Sequence, residues 1–447
     1  MANISNLDSA QLLSVLQRVP AVNTIKTWWL AYSGGVDSRV LLHLLAQLNL
    51  PVRAVYIDHG LQAISKHWAQ HCQQICASLN IPLSVIAVDA SAQRGESPEA
   101  AARRARYQAL ASVMAAGDCM LTAQHADDQA ETFLLQLMRG AGAAGLSAMP
   151  FVQAFDPGWL VRPLLRFSQQ TILDIARVEN LQWVDDPSNS DTRFDRNYLR
   201  QKILPDLTAR WPQTTQLLSR AAQQQAENQS LLATLAAQDL QQAEISNVLP
   251  VENLLTLDAS RQRNALRYWL EQNTVRMPSR AIMQQILSQL LHSREDAEAS
   301  VSWDNNGLYS YRQHLYLQEK VVHDAAQVLS WDGKQPLLIT SLQQQLVLQT
   351  ADDTGLLPEI IGKQLQIKFR QGGEKIKPAG QAYTHTLKNL FQQHGVLPWL
   401  RDQVPLLYLG DELIAVCGYW IADTYAVKSG AGWVPCLLAV LEKKQKT

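Results

Sequence analysis

Residues 33–38 read Ser33-Gly34-Gly35-Val36-Asp37-Ser38 and join a short apolar run at 27–33 to a helical pattern at 39–48. Glycines at such a turn let the backbone approach an anion closely, and the next helix presents unpaired N–H groups and a positive dipole end. The hydroxyls of Ser33 and Ser38 add two donors. This stretch therefore predicts a phosphate-binding loop after the first strand of an α/β domain.

The loop lacks the lysine that phosphoryl-transfer loops use. The Walker pattern places Gly-Lys-Ser/Thr at the γ-phosphate, and here no lysine follows Gly34 and Gly35. Asp37 cannot bind a phosphate directly, so we expect it to hold Mg²⁺ against the phosphate oxygens. A lysine-free loop is better suited to a departing pyrophosphate. The sequence therefore predicts an enzyme that binds ATP and releases pyrophosphate while it activates an acceptor atom.

Short apolar strands alternate with amphipathic helices from about residue 27 to 166. The predicted strands are 27–33, 52–58, 83–89 and 119–124, and the predicted helices are 39–48, 65–79, 97–115 and 127–139. This alternation predicts right-handed crossovers and a doubly wound parallel sheet with helices on both faces. Ligands of such sheets bind beyond the carboxyl ends of the strands, where the polar motifs of this chain fall.

The composition changes twice after the α/β region. A stretch rich in Gln, Ala and Leu at 214–322 has helical spacing, and short alternating strands with glycine turns follow from about residue 336. These changes predict a helical domain and then a small α+β domain. We place the domains at 1–212, 213–335 and 336–447.

Overall composition bounds the class of protein. The chain has 447 residues, 47% hydrophobic residues and a formal net charge of -1, so it is a globular protein whose basic surfaces must be local. Its five scattered cysteines do not suggest a disulfide framework. The N-terminus lacks a signal-peptide pattern, and no run approaches the roughly 18 apolar residues that span a bilayer. We expect a cytoplasmic protein.

Further polar motifs stand along the chain after the loop. They are Ile57-Asp58-His59-Gly60-Leu61, the helical run from Glu99 to Tyr107, His125-Ala126-Asp127-Asp128-Gln129-Ala130-Glu131-Thr132, Arg162-Pro163-Leu164, Asp185-Asp186-Pro187-Ser188-Asn189 and Arg196-Asn197-Tyr198-Leu199-Arg200. The loop resembles the pyrophosphate loop of the N-type ATP pyrophosphatases. Together, and in this order, the motifs resemble the bacterial tRNA(Ile)-lysidine synthetases.

The resemblance covers nearly the whole chain. It is strongest over 27–205 and extends into the strings at 369–374 and 399–402. Gln62 and Gln124 stand where this family is expected to have Arg and Gly. Neither is a group that the chemistry requires.

The resemblance implies a reaction in two steps. ATP adenylates the C2 oxygen of the wobble cytidine in the CAU anticodon of an isoleucine tRNA, and the ε-amine of L-lysine then displaces AMP. The lysidine formed changes codon reading from AUG to AUA. ATP, Mg²⁺, L-lysine and this tRNA are the implied cofactors and partners. The sequence leaves the oligomeric state open, a homodimer included.

Two groups of charged residues suit this chemistry. Arg103 and Arg106, at i and i+3 on one helix, could stabilise the charge that builds on the α-phosphate, although their spacing is equally typical of a solvated basic face. His125 precedes three acids at a helix start. We predict phosphate contact for His125 and lysine positioning for Asp128. The choice among the acids at 127, 128 and 131 stays open, because carboxylates there also cap helices.

The remaining predicted site residues bind ATP or tRNA. A neutral lysine amine is needed for attack, so a carboxylate among Asp127, Asp128 and Glu131 could take its proton. Basic clusters at 193–202, 259–280 and 361–388 predict a divided tRNA footprint. The ATP-binding candidates are Ser33, Gly34, Gly35, Val36, Asp37, Ser38, Asp58 and His59, and the tRNA-binding candidates are Arg196, Asn197, Arg200, Arg370, Lys375 and Arg401.

Three alternatives share some of these features. A tRNA thiolase on the same loop would need accessible cysteines, but Cys72 and Cys76 lie on a predicted helix and Cys119 opens a predicted strand. An amidotransferase-like synthetase would need a glutaminase nucleophile motif, which the N-terminus does not show. A non-catalytic RNA-binding protein would not need the intact loop and the acids at 127–131.

Overall fold

The computed structural model describes residues 7–20, 22–58, 65–89, 91–92, 97–185, 191–241, 246–291, 299–320 and 324–439. The chain divides into two compact units, Met1–Leu232 and Ala233–Thr447. The division into three domains at 212 and 335 stays a prediction. Among the described residues, no helix combines the length and the apolar character that crossing a membrane requires.

The first unit is built on a six-stranded sheet with the order β3-β2-β1-β4-β6-β5. Its strands are β1 (Trp28–Ala31), β2 (Val52–Asp58), β3 (Leu83–Ala87), β4 (Cys119–Leu121), β5 (Val152–Phe155) and β6 (Gly158–Val161). Neighbouring strands run parallel except β5, which pairs antiparallel with β6. The predicted doubly wound α/β fold is confirmed, with this edge hairpin as an addition that the sequence did not predict.

Helices cover both faces of this sheet. They are α1 (Ser9–Leu16), α2 (Val36–Ala46), α3 (Ser65–Ser78), α4 (Pro98–Ser112), α5 (Ala126–Met138), α6 (Ala143–Leu146), α7 (Gln169–Val178), α8 (Asp195–Tyr198) and α9 (Leu204–Arg210), followed by α10 (Thr214–Leu240). The predicted strands and helices of the α/β region are therefore present, with ends that differ by a few residues. A π-helical turn, Leu199–Ile203, joins α8 to α9.

The central strand β1 explains why the sheet has two cores. Successive side chains of a strand point to opposite faces. Trp28 and Leu30 accordingly pack into one buried cluster with α2, and Trp29 packs into another with Met120 and Leu160. A strand covered on both faces must be apolar throughout. The buried strand fixes the position of the loop that leaves it.

The second unit begins with helices and an antiparallel sheet. The elements up to residue 320 are β7 (Val248–Pro250), α11 (Glu252–Leu255), α12 (Ala259–Gln272), α13 (Arg280–Gln285), β8 (Ala299–Trp303), β9 (Asn306–Tyr311) and β10 (His314–Glu319). The helical region is confirmed, but the sheet β7-β10-β9-β8 was not predicted. Its β9–β10 hairpin turns at Arg312 and Gln313, which have φ of 47° and 61°. Such turns usually carry Asn-Gly, so this sequence gave no turn signal.

The part of the second unit from residue 324 is a small β-rich domain with short helices, which agrees with the predicted α+β class. Its elements are β11 (Leu329–Trp331), β12 (Leu337–Ile339), β13 (Gln344–Asp352), β14 (Leu365–Lys368), β15 (Lys375–Ile376), β16 (His385–Thr386), α14 (Leu387–Gln393), α15 (Pro398–Arg401), β17 (Leu406–Leu409), β18 (Glu412–Val416), β19 (Trp420–Ile421) and β20 (Ala431–Ala439). Trp399 joins it to the preceding sheet, since its ring stacks on Tyr309 at 4.4 Å and its Nε1 donates to Gln318 at 2.9 Å.

Candidate active site

The loop between β1 and α2 is held by its own hydroxyls. Ser38 Oγ donates to the carbonyl of Gly35 at 3.0 Å and lies 3.1 Å from Ser33 Oγ. Gly35 is the N-cap of α2 and has no side chain to bond the first N–H groups of that helix. Those groups and the helix dipole therefore suit an incoming anion.

Gly34 fits the loop onto the helix α3 beneath it. Its φ of 82° lies in the left-handed region that favours glycine. A Cβ built on Gly34 would lie 2.9 Å from Cys72 Sγ, and the Gly34 carbonyl accepts a hydrogen bond from the Val184 N–H at 2.9 Å. The contact between the loop and α3 therefore leaves no room for a side chain at Gly34.

We expect Gly34→Ala to destabilise the first unit by about 2 kcal/mol, from left-handed strain of about 1 kcal/mol and the close contact with Cys72. The affinity for ATP should fall together with the stability of the first unit. The control Gly35→Ala should keep the wild-type melting temperature, because Gly35 has φ of -69° and its added Cβ would meet only Ser33 Oγ at 3.5 Å. Cys72→Ala in the Gly34→Ala background should recover part of the loss. Strictly additive losses in melting experiments would contradict this account.

Asp37 lies in the first turn of α2 and carries a carboxylate oxygen without a hydrogen bond from the described residues. Its Oδ1 is buried and accepts no hydrogen bond from the described residues. His125 Nε2 is 3.6 Å away. Burial and the nearby Asp128 carboxylate raise the pKa of Asp37, while His125 and Arg200 oppose them. A buried carboxylate oxygen beside a phosphate-binding loop is the kind of ligand that Mg²⁺ takes together with phosphate oxygens.

His125 begins α5 at the carboxyl end of β4, and β4 pairs directly with β1. In the capping box, its Nδ1 accepts the N–H of Asp127 at 3.2 Å and its own N–H donates to Asp128 Oδ2 at 3.1 Å. The buried ring has Nε2 3.4 Å from Asp128 Oδ2 as well as near Asp37. Burial alone would lower the pKa of His125, but the surrounding carboxylates outweigh it and raise the pKa to about 8.

Protonation of the His125 ring changes its contacts with Asp127. Nδ1 can accept the Asp127 N–H only while it carries no proton, so protonation replaces this cap with an ion pair to Asp127 Oδ2, 3.6 Å away. The three carboxylates around the ring favour the imidazolium over this weak hydrogen bond. The raised pKa of about 8 therefore favours the imidazolium form of His125.

The charge on His125 should make stability depend on pH. Its pKa rises from 6.5 to about 8, so the imidazolium contributes up to about 2 kcal/mol that is fully present below pH 6.5 and lost as the pH rises through 8. His125→Asn keeps an N-cap side chain and removes the titration. Urea unfolding in EDTA should show the wild-type advantage over this variant shrinking between pH 6.5 and 9. A constant difference would contradict the assignment.

Glu131 is the fully buried acid of the site, with 0% of its side chain exposed. Arg200 donates to it through Nε at 2.6 Å and Nη2 at 3.0 Å, and Arg196 donates through Nε at 2.9 Å. Arg200 Nη2 also reaches Asp128 Oδ1 at 3.0 Å. Burial would lower the pKa of Arg200, but these acids raise it. Glu131 is therefore neutralised by the chain itself and fixes the helix that follows α8 against α5.

The structure thus places two predicted tRNA contacts inside the active site. Arg196 and Arg200 bind the acids of α5, and Asn197 donates to the Asp191 carbonyl at 2.9 Å. The π-helical turn that carries Arg200 ends two residues before Pro205, which has no N–H to continue an α-helical ladder. The i, i+4 spacing of Arg196 and Arg200 was the available signal that these two side chains share a partner. The sequence did not indicate which residue that partner is.

Glu131→Gln should lower the free energy of unfolding by about 3 kcal/mol or more, because two guanidinium groups lose a buried counter-charge. The matched control is Arg193→Gln, which breaks an ion pair with Asp191 in the same segment. Arg193 has 87% of its side chain exposed, so its loss should cost less than about 1 kcal/mol. Urea unfolding measures both, and equal effects would contradict the buried network.

Asp127 is also engaged by neighbours. Its Oδ2 accepts the Gln169 N–H at 2.7 Å and its Oδ1 accepts from Thr215 Oγ1 at 3.2 Å. Burial opposes the effect, but the His125 ring and these bonds lower the pKa of Asp127. Asp128 lies between Asp37 and Arg200 instead. Of the three predicted acids, it is the one that faces the loop carboxylate.

The arginines of α4 point outward. Arg103 Nη2 donates to Tyr107 Oη at 3.1 Å, and the Arg103 and Arg106 guanidinium groups lie 4.7 and 6.0 Å from the Tyr107 ring centre. Both side chains are exposed. Their catalytic role stays a prediction. Asp58 ends β2, and His59 lies outside the described residues.

The candidates of the second unit differ in exposure. Lys375 is exposed on β15, and Arg370 Nη1 donates to Asp402 at 3.0 Å. Arg401 is only 8% exposed and donates through Nε to the Val396 carbonyl at 2.9 Å. This position suits a structural role, and the tRNA contact of Arg401 stays a prediction.

Comparison with known families covers three parts of the chain. Residues 7–207 match the family model of a PP-loop domain, 249–316 that of a TilS substrate binding domain, and 365–436 that of a TilS substrate C-terminal domain. The tRNA(Ile)-lysidine synthase of Coxiella burnetii is 39% identical over 424 residues, covering 94% of both chains.

Two further relatives carry the same name. The tRNA(Ile)-lysidine synthase of Methylococcus capsulatus is 37% identical over 410 residues, with 90% of this chain and 93% of that protein covered. That of Pectobacterium atrosepticum is 40% identical over 398 residues, with 88% and 90% covered. The similarity therefore extends over the loop, the acids of α5 and both units.

Proposed function

Because this chain belongs to the tRNA(Ile)-lysidine synthase family, we propose that it joins L-lysine to the wobble cytidine of a CAU anticodon in tRNA(Ile). It is an ATP-using PP-loop enzyme, a ligase that acts on tRNA. The observation that carries the assignment of roles is the meeting of Asp37, His125 and Asp128 within 3.6 Å at the N-termini of α2 and α5. The enzyme would work in the cytoplasm.

In the first step, the loop binds ATP and the cytidine C2 oxygen attacks the α-phosphate. The bond from the α-phosphate to the bridging oxygen breaks, and pyrophosphate leaves into the N–H groups and hydroxyls of residues 33–38. Asp37 Oδ1 would hold Mg²⁺, which neutralises charge on phosphate oxygens. Among the described residues, no three His, Cys, Asp or Glu side chains are arranged so that they could hold a metal ion by themselves, which suits an ion bound largely by phosphates.

In the second step, the lysine ε-nitrogen attacks C2 and the C2–O bond to AMP breaks. The nitrogen must lose a proton, and Asp128 accepts it. Asp128 also orients the amine, while Arg200 and the His125 N–H hold this carboxylate in place. His125, a cation between Asp37 and Asp128, offsets negative charge beside the phosphates.

The second unit would supply tRNA contacts. Its two matched domains, at 249–316 and 365–436, carry the family's substrate-binding names. Lys375 is exposed, and Arg370 keeps part of its guanidinium at the surface beside Asp402. Arg103 and Arg106 remain candidates for the α-phosphate. Contacts of this kind give affinity without base specificity.

The thiolase alternative receives no support from the first unit. Burial raises the pKa of Cys72 to about 12, that of Cys76 to about 11 and that of Cys119 to about 12. Protonated, buried thiols are poor nucleophiles. These cysteines pack the core beneath the loop instead.

The reaction is tested by incubating the protein with labelled L-lysine, ATP, Mg²⁺ and total tRNA, followed by nucleoside analysis. We expect lysidine, AMP and pyrophosphate. Label from a sulfur donor in the tRNA would support the thiolase alternative. Formation of ADP and orthophosphate would overturn both the reaction and the role of the loop.

Asp37→Asn should lower turnover at least about 100-fold, or about 2.7 kcal/mol in the activation barrier, because the metal-binding charge is lost. The same variant should be at least as stable as the wild type in EDTA, since burial raises the pKa of Asp37 and disfavours its charged form. Asp174→Asn, an exposed acid paired with Arg177, serves as control and should retain activity. Unchanged turnover of Asp37→Asn would refute the metal assignment.

A further inference from the structure

Two large aromatic side chains are exposed on the segment that carries Arg196 and Arg200. Phe194 has 47% and Tyr198 has 49% of its surface exposed. Phe194 is the N-cap residue of α8 and Tyr198 is its last residue, and the Tyr198 N–H donates to the Phe194 carbonyl at 2.9 Å, so one helical turn connects them. Two exposed aromatic rings, on a segment otherwise fixed by buried ion pairs, are a surface that a partner can cover.

The helix geometry separates these rings from the arginines. Tyr198 is two residues from Arg196 and two from Arg200, which is about 200° around a helix. Arg196 and Arg200 point into α5, where they bind Glu131. Tyr198 therefore faces away from α5, on the outer side of the same helix. The inner side holds the acids of the active site, and the outer side presents the rings.

The distance between the two sides suits a nucleic acid loop. A helix with its side chains is about 10 Å across, and successive stacked bases lie about 3.4 Å apart. A nucleotide two or three positions from the reacting base can thus reach the outer side of α8. Arg193 precedes Phe194 in the sequence, has 87% of its side chain exposed and pairs with Asp191.

We propose that Phe194 and Tyr198 form a stacking platform for unpaired bases of the anticodon loop next to the cytidine that reacts. The proposal rests on the proposed function and names a base-binding surface within it. Aromatic faces bind unpaired bases of any identity, because every base has a π-face. The platform orients the loop, while specificity for the reacting base lies elsewhere. A paired helix hides its base faces and gains nothing from these rings.

The test compares two RNAs that bind the whole enzyme. One is the anticodon stem-loop of tRNA(Ile), and the other is a fully paired duplex of the same length. Phe194→Ala and Tyr198→Ala should each weaken stem-loop binding roughly 5- to 150-fold. Duplex binding and the KM values for ATP and lysine should stay within twofold. Tyr198→Phe keeps the ring and should bind like the wild type.

Val178→Ala is the matched control, because Val178 is an exposed apolar residue of the same unit, 76% exposed at the end of α7. It should change neither RNA affinity. Equal losses for stem-loop and duplex, or no loss for either, would overturn the platform. Lysidine formation by the wild type in the same preparation separates this result from a failure of the proposed function.

Discussion

Four carboxylates gather at a loop that has to bind a triphosphate, and the neutralisation of their charge governs the rest of the site. Glu131 is neutralised by two arginines, and Asp127 by backbone, hydroxyl and imidazole contacts. Asp37 and Asp128 lie on either side of His125, and Arg200 Nη2 also contacts Asp128. Burial, with repulsion by Asp128 as a smaller cause, raises the pKa of Asp37. The proposed reaction brings two cations to this place, a metal ion and the lysine ammonium group, together with the negative charge of the triphosphate.

The sheet order brings these acids together. Because β1 and β4 are parallel neighbours, the helices that follow them, α2 and α5, begin side by side at one edge of the sheet. One N-terminus keeps its N–H groups for an anion since glycine caps it, and the other is capped by His125. The turn from β1 to α2 thus serves as an anion site. The equivalent turn from β4 to α5 serves as a rigid support for carboxylates.

The sequence predicted the features that depend on local chemistry. The loop at 33–38, the alternation of strands and helices and the grouping of His125 with the acids of α5 all follow from residue type and spacing. Features set by distant partners were missed. The inward direction of Arg196 and Arg200 depends on Glu131, which lies 65 and 69 residues earlier in the chain. The burial of Arg401 depends on packing within its own domain, and the hairpin at Arg312 and Gln313 has turn residues that carry no glycine.

The absence of a lysine from the loop has a consequence for where positive charge must come from. In a Walker loop, the lysine follows the phosphates through the reaction as a fixed cation. Here the described loop offers N–H groups, two hydroxyls and the carboxylate of Asp37, which adds negative charge. Binding of ATP therefore depends on cations from outside the loop. Its affinity for the site can increase when those cations bind. A site that holds ATP firmly only when cations from outside the loop are in place has a physical reason to delay ATP cleavage until those cations are bound, because the charge that stabilises the departing pyrophosphate is incomplete before then.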